Sequence, residues 1–274
     1  MEEYQVARNL AQISEAAQFY DLQERAGRKA SARQLRQLFY GLQRALQPAH
    51  FIEAGAHDAA TSLKIRALSP ETSVTAFEAN PYNFRKFSTL TDFAAAGVDY
   101  RLNALTDHEG PVTFNVLIEE GGVARKPASG RSSLLTRTDT TARHEEVTVT
   151  GTTLDACFSD QTGTLALWVD VEGAAGKLLA GAARTLPRVQ SLMIEVETRA
   201  FWSGQWLHTD ICAHLMGAGL IPVARDFEFR HQFNILFVHP AVLAHAHALL
   251  ALEQFFSARA RHLHGTSRSG ESRA

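Results

Sequence analysis

Cysteine is scarce. Cys157 and Cys212 are the only two in 274 residues, too few for a disulfide framework in a chain of this length. An excess of either charge is also missing. Lys and Arg number 27 against 29 Asp and Glu, whereas a dedicated nucleic-acid binder needs a basic surplus to meet phosphates. There is no unbroken apolar run of membrane-spanning length. The longest, Ile235 to Phe256, is interrupted by His239, Pro240, His245 and His247. The opening Met-Glu-Glu-Tyr-Gln has no basic stretch followed by an apolar one, so no signal peptide is expected. Disorder fails too, because 45% hydrophobic and 20% charged residues are the proportions of a chain with a sizeable core. These absences point to a soluble, cytoplasmic, globular protein with neither nucleic acid nor membrane as a partner.

What is present falls into an ordered pattern. Leu35, Leu38, Phe39, Leu42 and Leu46 form one stripe of a helix, which Pro48 closes. Residues 1–48 are therefore expected as an N-terminal helical cap, residues 49–264 as the main domain and residues 265–274 as a disordered polar tail. Beyond Pro48, short apolar runs alternate with helical segments: strands at 50–53, 73–77 and 98–105, helices at 59–68 and 83–95. The alternation returns with strands at 165–171 and 191–196 and helices at 174–185 and 209–218. Strands 220–224 and 234–238 have a short connection and are expected to pair antiparallel, before a final helix at 241–263. This is the pattern of an α/β domain with a mostly parallel sheet. In the middle, runs at 112–117 and 146–150 flank residues 119–143, rich in Gly, Ser, Thr and Arg, expected as a lid over a site or as disorder.

In an open α/β sheet, ligands bind outside the carboxyl ends of the strands. Each strand end here carries a carboxylate or an amide: Glu53 with Gly55, His57 and Asp58; Glu78 with Ala79 and Asn80; Asn103 with Ala104; Asp170 with Glu172; Glu195 with Glu197. Gly55 permits a tight turn and close approach of a ligand. Glu78, 23 residues later, stands where an acid takes both hydroxyls of a ribose. A dinucleotide loop would read Gly-x-Gly-x-x-Gly, but this one reads Gly55-Ala56-His57-Asp58-Ala59-Ala60, so nothing is shaped for a pyrophosphate. A nucleoside cofactor without phosphates fits better, and S-adenosylmethionine is the candidate. Its carboxylate would use helix-start amides near Thr61 and Ser62, and its ammonium Glu53 or Asp170. Two residues apart in a strand, Asp170 and Glu172 would share a face, so they and Glu195 are candidates for the general base. His208, at a helix start, is a further one. Clustered carboxylates can also hold a divalent cation, but no residue is assigned as a metal ligand. His245 and His247 would point to different faces of their helix. Phe201, Trp202 and Trp206 suit an aromatic wall or the core, and both cysteines read as buried apolar residues.

Six motifs then fall in one order: Phe-Ile-Glu-Ala-Gly-Ala-His-Asp, Ala-Phe-Glu-Ala-Asn-Pro, Asn-Ala-Leu-Thr-Asp-His-Glu-Gly, Gly-Arg-Ser-Ser-Leu-Leu, Thr-Thr-Leu-Asp and Val-Asp-Val-Glu-Gly-Ala. From Phe51 to Val238 the chain resembles the FkbM family of methyltransferases, departing at His57, where the family commonly has Asn. The resemblance implies a Rossmann-like class I methyltransferase fold, a seven-stranded sheet with helices on both faces, and S-adenosylmethionine as donor. It further implies O-methylation of a hydroxyl on a small molecule, sugar or polyketide, and a lid in which Ser132 and Ser133 touch the ligands, with Ser133 on the cofactor. The N-terminal helices would cap the acceptor side or make a homodimer contact. A non-catalytic binding protein and a dinucleotide-dependent oxidoreductase are the competing expectations.

Overall fold

Strands covered by helices on both faces must be apolar at successive positions rather than alternate ones, and the short runs obey this. In strand β1 (His50–Ala54), Phe51 faces one core and Ile52 the other. In β8 (Leu165–Val169), Ala166 joins Phe51 while Leu165, Leu167 and Val169 join Ile52. The computed structural model describes residue 13 and residues 15–267, with side chains through residue 258. Its main sheet has seven strands in the order β10-β11-β9-β8-β1-β2-β3. Besides β1 and β8 these are β2 (Ser73–Glu78), β3 (Val98–Leu102), β9 (Val189–Glu197), β10 (Ile221–Arg225) and β11 (Gln232–Val238). All are parallel except β11, which pairs antiparallel with both β9 and β10, as its short connection to β10 requires. The order reverses at β1, between β8 and β2, and that reversal opens the crevice used by ligands in such sheets.

Helices α1 (Arg25–Leu46), α2 (Ala60–Leu68) and α7 (Ala246–Ser267) cover one face of the sheet. Helices α4 (Leu154–Phe158), α5 (Ala175–Ala180) and α6 (His208–Gly217) cover the other. Helix α1 docks through Leu35, Leu38, Phe39 and Leu42, all buried, so the predicted stripe is part of the domain's own core. Among the described residues no helix is long and apolar enough to cross a membrane.

Several boundaries differ from the sequence reading, each for a local reason. The helix expected at 83–95 is α3 (Pro81–Leu90), started by the Asn80 side chain accepting from Tyr82 N at 3.0 Å, with Pro81 in the first turn. The helix expected over 174–185 ends early, and a 3-10 turn at Pro240–Ala244 precedes α7. Helix α7 continues to Ser267, so the tail expected from residue 265 starts as helix, and residues 268–274 lie outside the described residues. The run 98–105 divides at Asn103. Ala104–Leu105 leaves the main sheet as β4 and pairs with β7 (Arg143–Thr152) in a second sheet, completed by β5 (Gly110–Glu120) and β6 (Val123–Ala124). Cys157 and Cys212 are free and only half-buried against the core.

Candidate active site

The carboxyl ends of β1, β2 and β8 are joined by their own backbone. Gly55 N and Ala56 N both donate to Phe77 O at 2.9 Å, and Asp170 N donates to Ala54 O at 3.0 Å. Gly55 has φ +77°, and a Cβ there would lie 1.8 Å from Asp170 O, so only glycine lets the two strand ends approach. Past it the chain turns through His57, also left-handed at φ +49°. His57 N donates to Glu78 Oε2 at 2.6 Å, its carbonyl accepts the Tyr100 hydroxyl, and its ring packs edge-on to Phe87. Glu78 is 5% exposed and its other oxygen accepts from Asn80 N at 2.6 Å. Burial pushes its carboxyl up to about 7 against the pull of these two bonds. Each carboxylate oxygen has a second lone pair, so Glu78 can still accept from a ligand.

Around it lies a cavity of about 280 Å³. Gly55, Asp170, Val171 and Glu172 line it together with the apolar Phe77, Leu105, Phe114 and Leu134, and Ser129, Gly130 and Ser132 form its roof. Among the described residues no lysine or arginine lines it. Of the residues assigned to a cofactor, Gly55, His57, Glu78, Ala79, Asn80, Asn103, Ala104 and Asp170 line the cavity.

The others do not, and each has another partner. Glu53 is 4% exposed against α2 and accepts from Ser62 N at 2.8 Å and Ser62 Oγ at 2.5 Å. It thereby takes the helix-start amide that was expected for a ligand carboxylate, while Thr61 and Ser62 are themselves buried. Asp58 is exposed and accepts from Ala60 N. Ser133 Oγ donates to Glu172 O at 2.7 Å and accepts from Leu135 N at 3.0 Å, holding the roof rather than facing the cavity. His208 begins α6 with its ring against Phe233 and does not line the cavity around Glu78. Sequence reasoning missed Asn83, Phe114, Ser129 and Leu134. Asn83 alone had a signal, since i+3 from Asn80 on a helix falls on the same side.

Asp170 and Glu172 converge for a different reason from the one expected. Strand β8 ends at Val169, so they do not share a strand face; Glu172 instead occupies a left-handed turn at φ +50°. One oxygen each of Asp170, Glu172 and Glu195 lies within 4.8 Å of the others, close enough to hold one cation. Burial raises all three carboxyls; repulsion from the neighbouring acids adds to it at Glu172 and Glu195, while a hydrogen bond with Glu195 pulls Asp170 back. Glu172 reaches about 8 and neighbouring Glu197 about 7. Gln232 donates to Glu195 at 2.8 Å and Gln205 to Glu197 at 3.0 Å. Asp170 also borders a second cavity of about 200 Å³, with Arg36 of α1, Trp168, Glu195, Asp226, Phe229 and Phe233. Trp202 and Trp206 pack against Gly173 and Gly176, whose missing Cβ atoms make room for the indoles, so both belong to the core rather than to a cavity wall.

Residues 53–233 match the methyltransferase FkbM domain. The chain belongs to the FkbM methyltransferase family. Membership brings S-adenosylmethionine as the methyl donor. Among solved structures, methyltransferase FkbM from Methylobacillus flagellatus KT is 13% identical with a TM-score of 0.43, over 69% of this chain and 44% of that one. The chain thus spans less than half the length of that relative. Magnesium protoporphyrin IX methyltransferase from Synechocystis PCC 6803, solved with bound SAM, is 10% identical with a TM-score of 0.43, over 80% and 84% of the two chains. Precorrin-6y C5,15-methyltransferase from Geobacter metallireducens GS-15 is 13% identical with a TM-score of 0.38, over 72% and 84%. No curated protein matches the chain significantly.

Proposed function

We propose that this FkbM-family protein methylates a hydroxyl on a small-molecule acceptor, with S-adenosylmethionine in the cavity around Glu78. The observation that carries the reading is the lining itself. Glu78, held by two backbone N–H groups, lines the cavity together with Asp170 and Glu172, and among the described residues no lysine or arginine does. A dinucleotide would need partners for its pyrophosphate. A nucleoside bearing a sulfonium and an ammonium instead needs acids, which are what the cavity offers.

The donor supplies an electrophilic methyl group on sulfur. The chain's own residues then bind, orient and move a proton. Glu78 takes the ribose hydroxyls, Gly55 lets the backbone close on the donor, and Asp170 faces its ammonium. The acceptor enters from the second cavity, between α1 and the β10–β11 connection, and meets the donor across Asp170. Glu172, with an oxygen within 4.8 Å of those of Asp170 and Glu195, would take the proton of the acceptor hydroxyl, with S-adenosylhomocysteine as the spent donor. A base with its pKa near 8 is suited to this at neutral to mildly alkaline pH. Residues 125–133 exclude water from above. A role for His208 would have to be indirect.

Calorimetric titration with S-adenosylmethionine, S-adenosylhomocysteine and NAD tests the donor. Micromolar binding of the first two and none of NAD is the expected result, and preference for NAD overturns the reading. With an acceptor in hand, kcat/KM should rise with pH towards about 8 and lose that dependence in Glu172→Gln; a rise that persists in the variant removes Glu172 as the base.

A further inference from the structure

Asn83 occupies the first turn of α3 at 2% exposure, where an apolar residue would pack without cost. Its Nδ2 donates to Ser129 O at 3.0 Å. Its Oδ1 is buried and has no hydrogen-bond partner among the described residues, and neither has the buried Ser129 Oγ. Both side chains line the donor cavity. An amide oxygen left alone in a protein interior is costly, and natural structures rarely keep one without a reason. Here two unmatched polar atoms belong to hydrogen-bonded neighbours that both line one cavity, one on α3 and one on its roof.

The same side chains fasten the roof. Asn80 Nδ2 donates to Pro127 O at 2.8 Å, one turn before the link from Asn83 to Ser129. Two asparagines of α3 thus hold two carbonyls of the 125–133 segment over the cavity. Beside them Glu78 has both oxygens engaged by the backbone. It is acceptor-only when ionised, and so is Asn83 Oδ1, so the groups they suit on a ligand are hydroxyl donors.

We propose that Asn83 is a donor-sensing latch. Its Oδ1, together with Ser129 Oγ, takes a ribose hydroxyl next to Glu78, and the amide fixed at that end holds the Ser129 carbonyl at the other. Donor occupancy and closure of residues 125–133 are therefore coupled through one side chain. The inference rests on the reading that the cavity takes S-adenosylmethionine, and it adds a positioning role and a conformational consequence.

The test combines calorimetry with limited trypsin digestion at Arg125 and at the exposed Arg131 of the roof segment. The probes are S-adenosylhomocysteine and its analogue lacking both ribose hydroxyls. In the unaltered protein, saturating S-adenosylhomocysteine should slow cleavage at these sites by about tenfold or more. Asn83→Ala should bind it about tenfold more weakly, bind the dideoxy analogue as the parent does, and lose the protection even when saturated. Ser129→Ala keeps the backbone carbonyl, so it should lose severalfold in affinity yet retain protection at saturation; it decides the matter should Asn83→Ala fail to fold. Failure of the unaltered protein to bind S-adenosylhomocysteine would refute the donor reading and the latch together. Normal binding with undiminished affinity in the variants, or equal loss for both probes, would refute the latch alone.

Discussion

At Glu78, burial and hydrogen bonding pull in opposite directions, and the balance leaves a carboxyl near 7 with two free lone pairs beside a cavity. Removing it deletes charge-assisted hydrogen bonds to a ribose. Glu78→Ala should therefore lose about 2 kcal/mol of S-adenosylhomocysteine affinity, roughly thirtyfold, by calorimetry; an unchanged Kd would show that the acid does not touch the donor. Gly55 is constrained twice, by its φ of +77° and by the 1.8 Å separation of a Cβ from Asp170 O. Gly55→Ala should lower the melting temperature as well as the affinity, because it forces β1 and β8 apart. Both positions were legible in the sequence, as a glycine and an acid at successive strand ends. Glu53 carried the same kind of signal but is taken up by α2, bonded to Ser62. Alternation puts it on the same strand face as Glu78, and which of the two acids reaches the cavity depends on where the neighbouring helix sits, which residue type does not reveal. Asn83 and Ser129 were illegible for another reason: a polar residue in a first helical turn or a loop is unremarkable until its neighbours are in place.

Among the elements, α1 was the plainest to read, since a 3.6-residue stripe of large apolar side chains has few other uses. Phe39 is fully buried between Phe51 and Trp168. Phe39→Ala should cost about 3–5 kcal/mol in denaturant unfolding, and a loss under 1 kcal/mol would mean that α1 docks only loosely. The segment expected at 119–143 was half legible. Its composition left it as a lid or as disorder, and did not reveal that β5 and β7 form a second sheet that carries it, nor that Ser132 and Ser133 fasten it. Those links join residues 15 and 39 positions apart, beyond the reach of any local pattern. Ser133→Ala removes the bond to the Glu172 carbonyl and should cost about 1 kcal/mol of stability, read as a lower melting temperature. An unchanged melt would show that the other links to the segment, from Ser132 and the asparagines at the start of α3, hold it without Ser133.

For the whole molecule, the clustered buried acids make a prediction about pH. Glu53, Glu78 and Glu197 stand near 7 and Glu172 near 8, all above the ordinary 4.5. A carboxyl with its folded pKa raised favours folding in full below its unfolded pKa and loses that contribution as pH rises through the folded value. The unliganded protein should thus melt at progressively lower temperature between about pH 4.5 and 8, and Glu172→Gln should flatten the upper part of that slope; a slope unaltered in the variant would place the titration elsewhere. The sequence alone determined the α/β class and the family, and singled out the strand ends, with the acid that closes β2, as the candidate site, because apolar periodicity and ordered short motifs are local properties of a chain. Only the tertiary structure decided which strand-end acids share a cavity, where the middle segment is fastened and why Asp170 and Glu172 converge. Those outcomes depend on strand order, on helix placement and on hydrogen bonds between distant residues, all of which exist only once the sheet has closed its two cores.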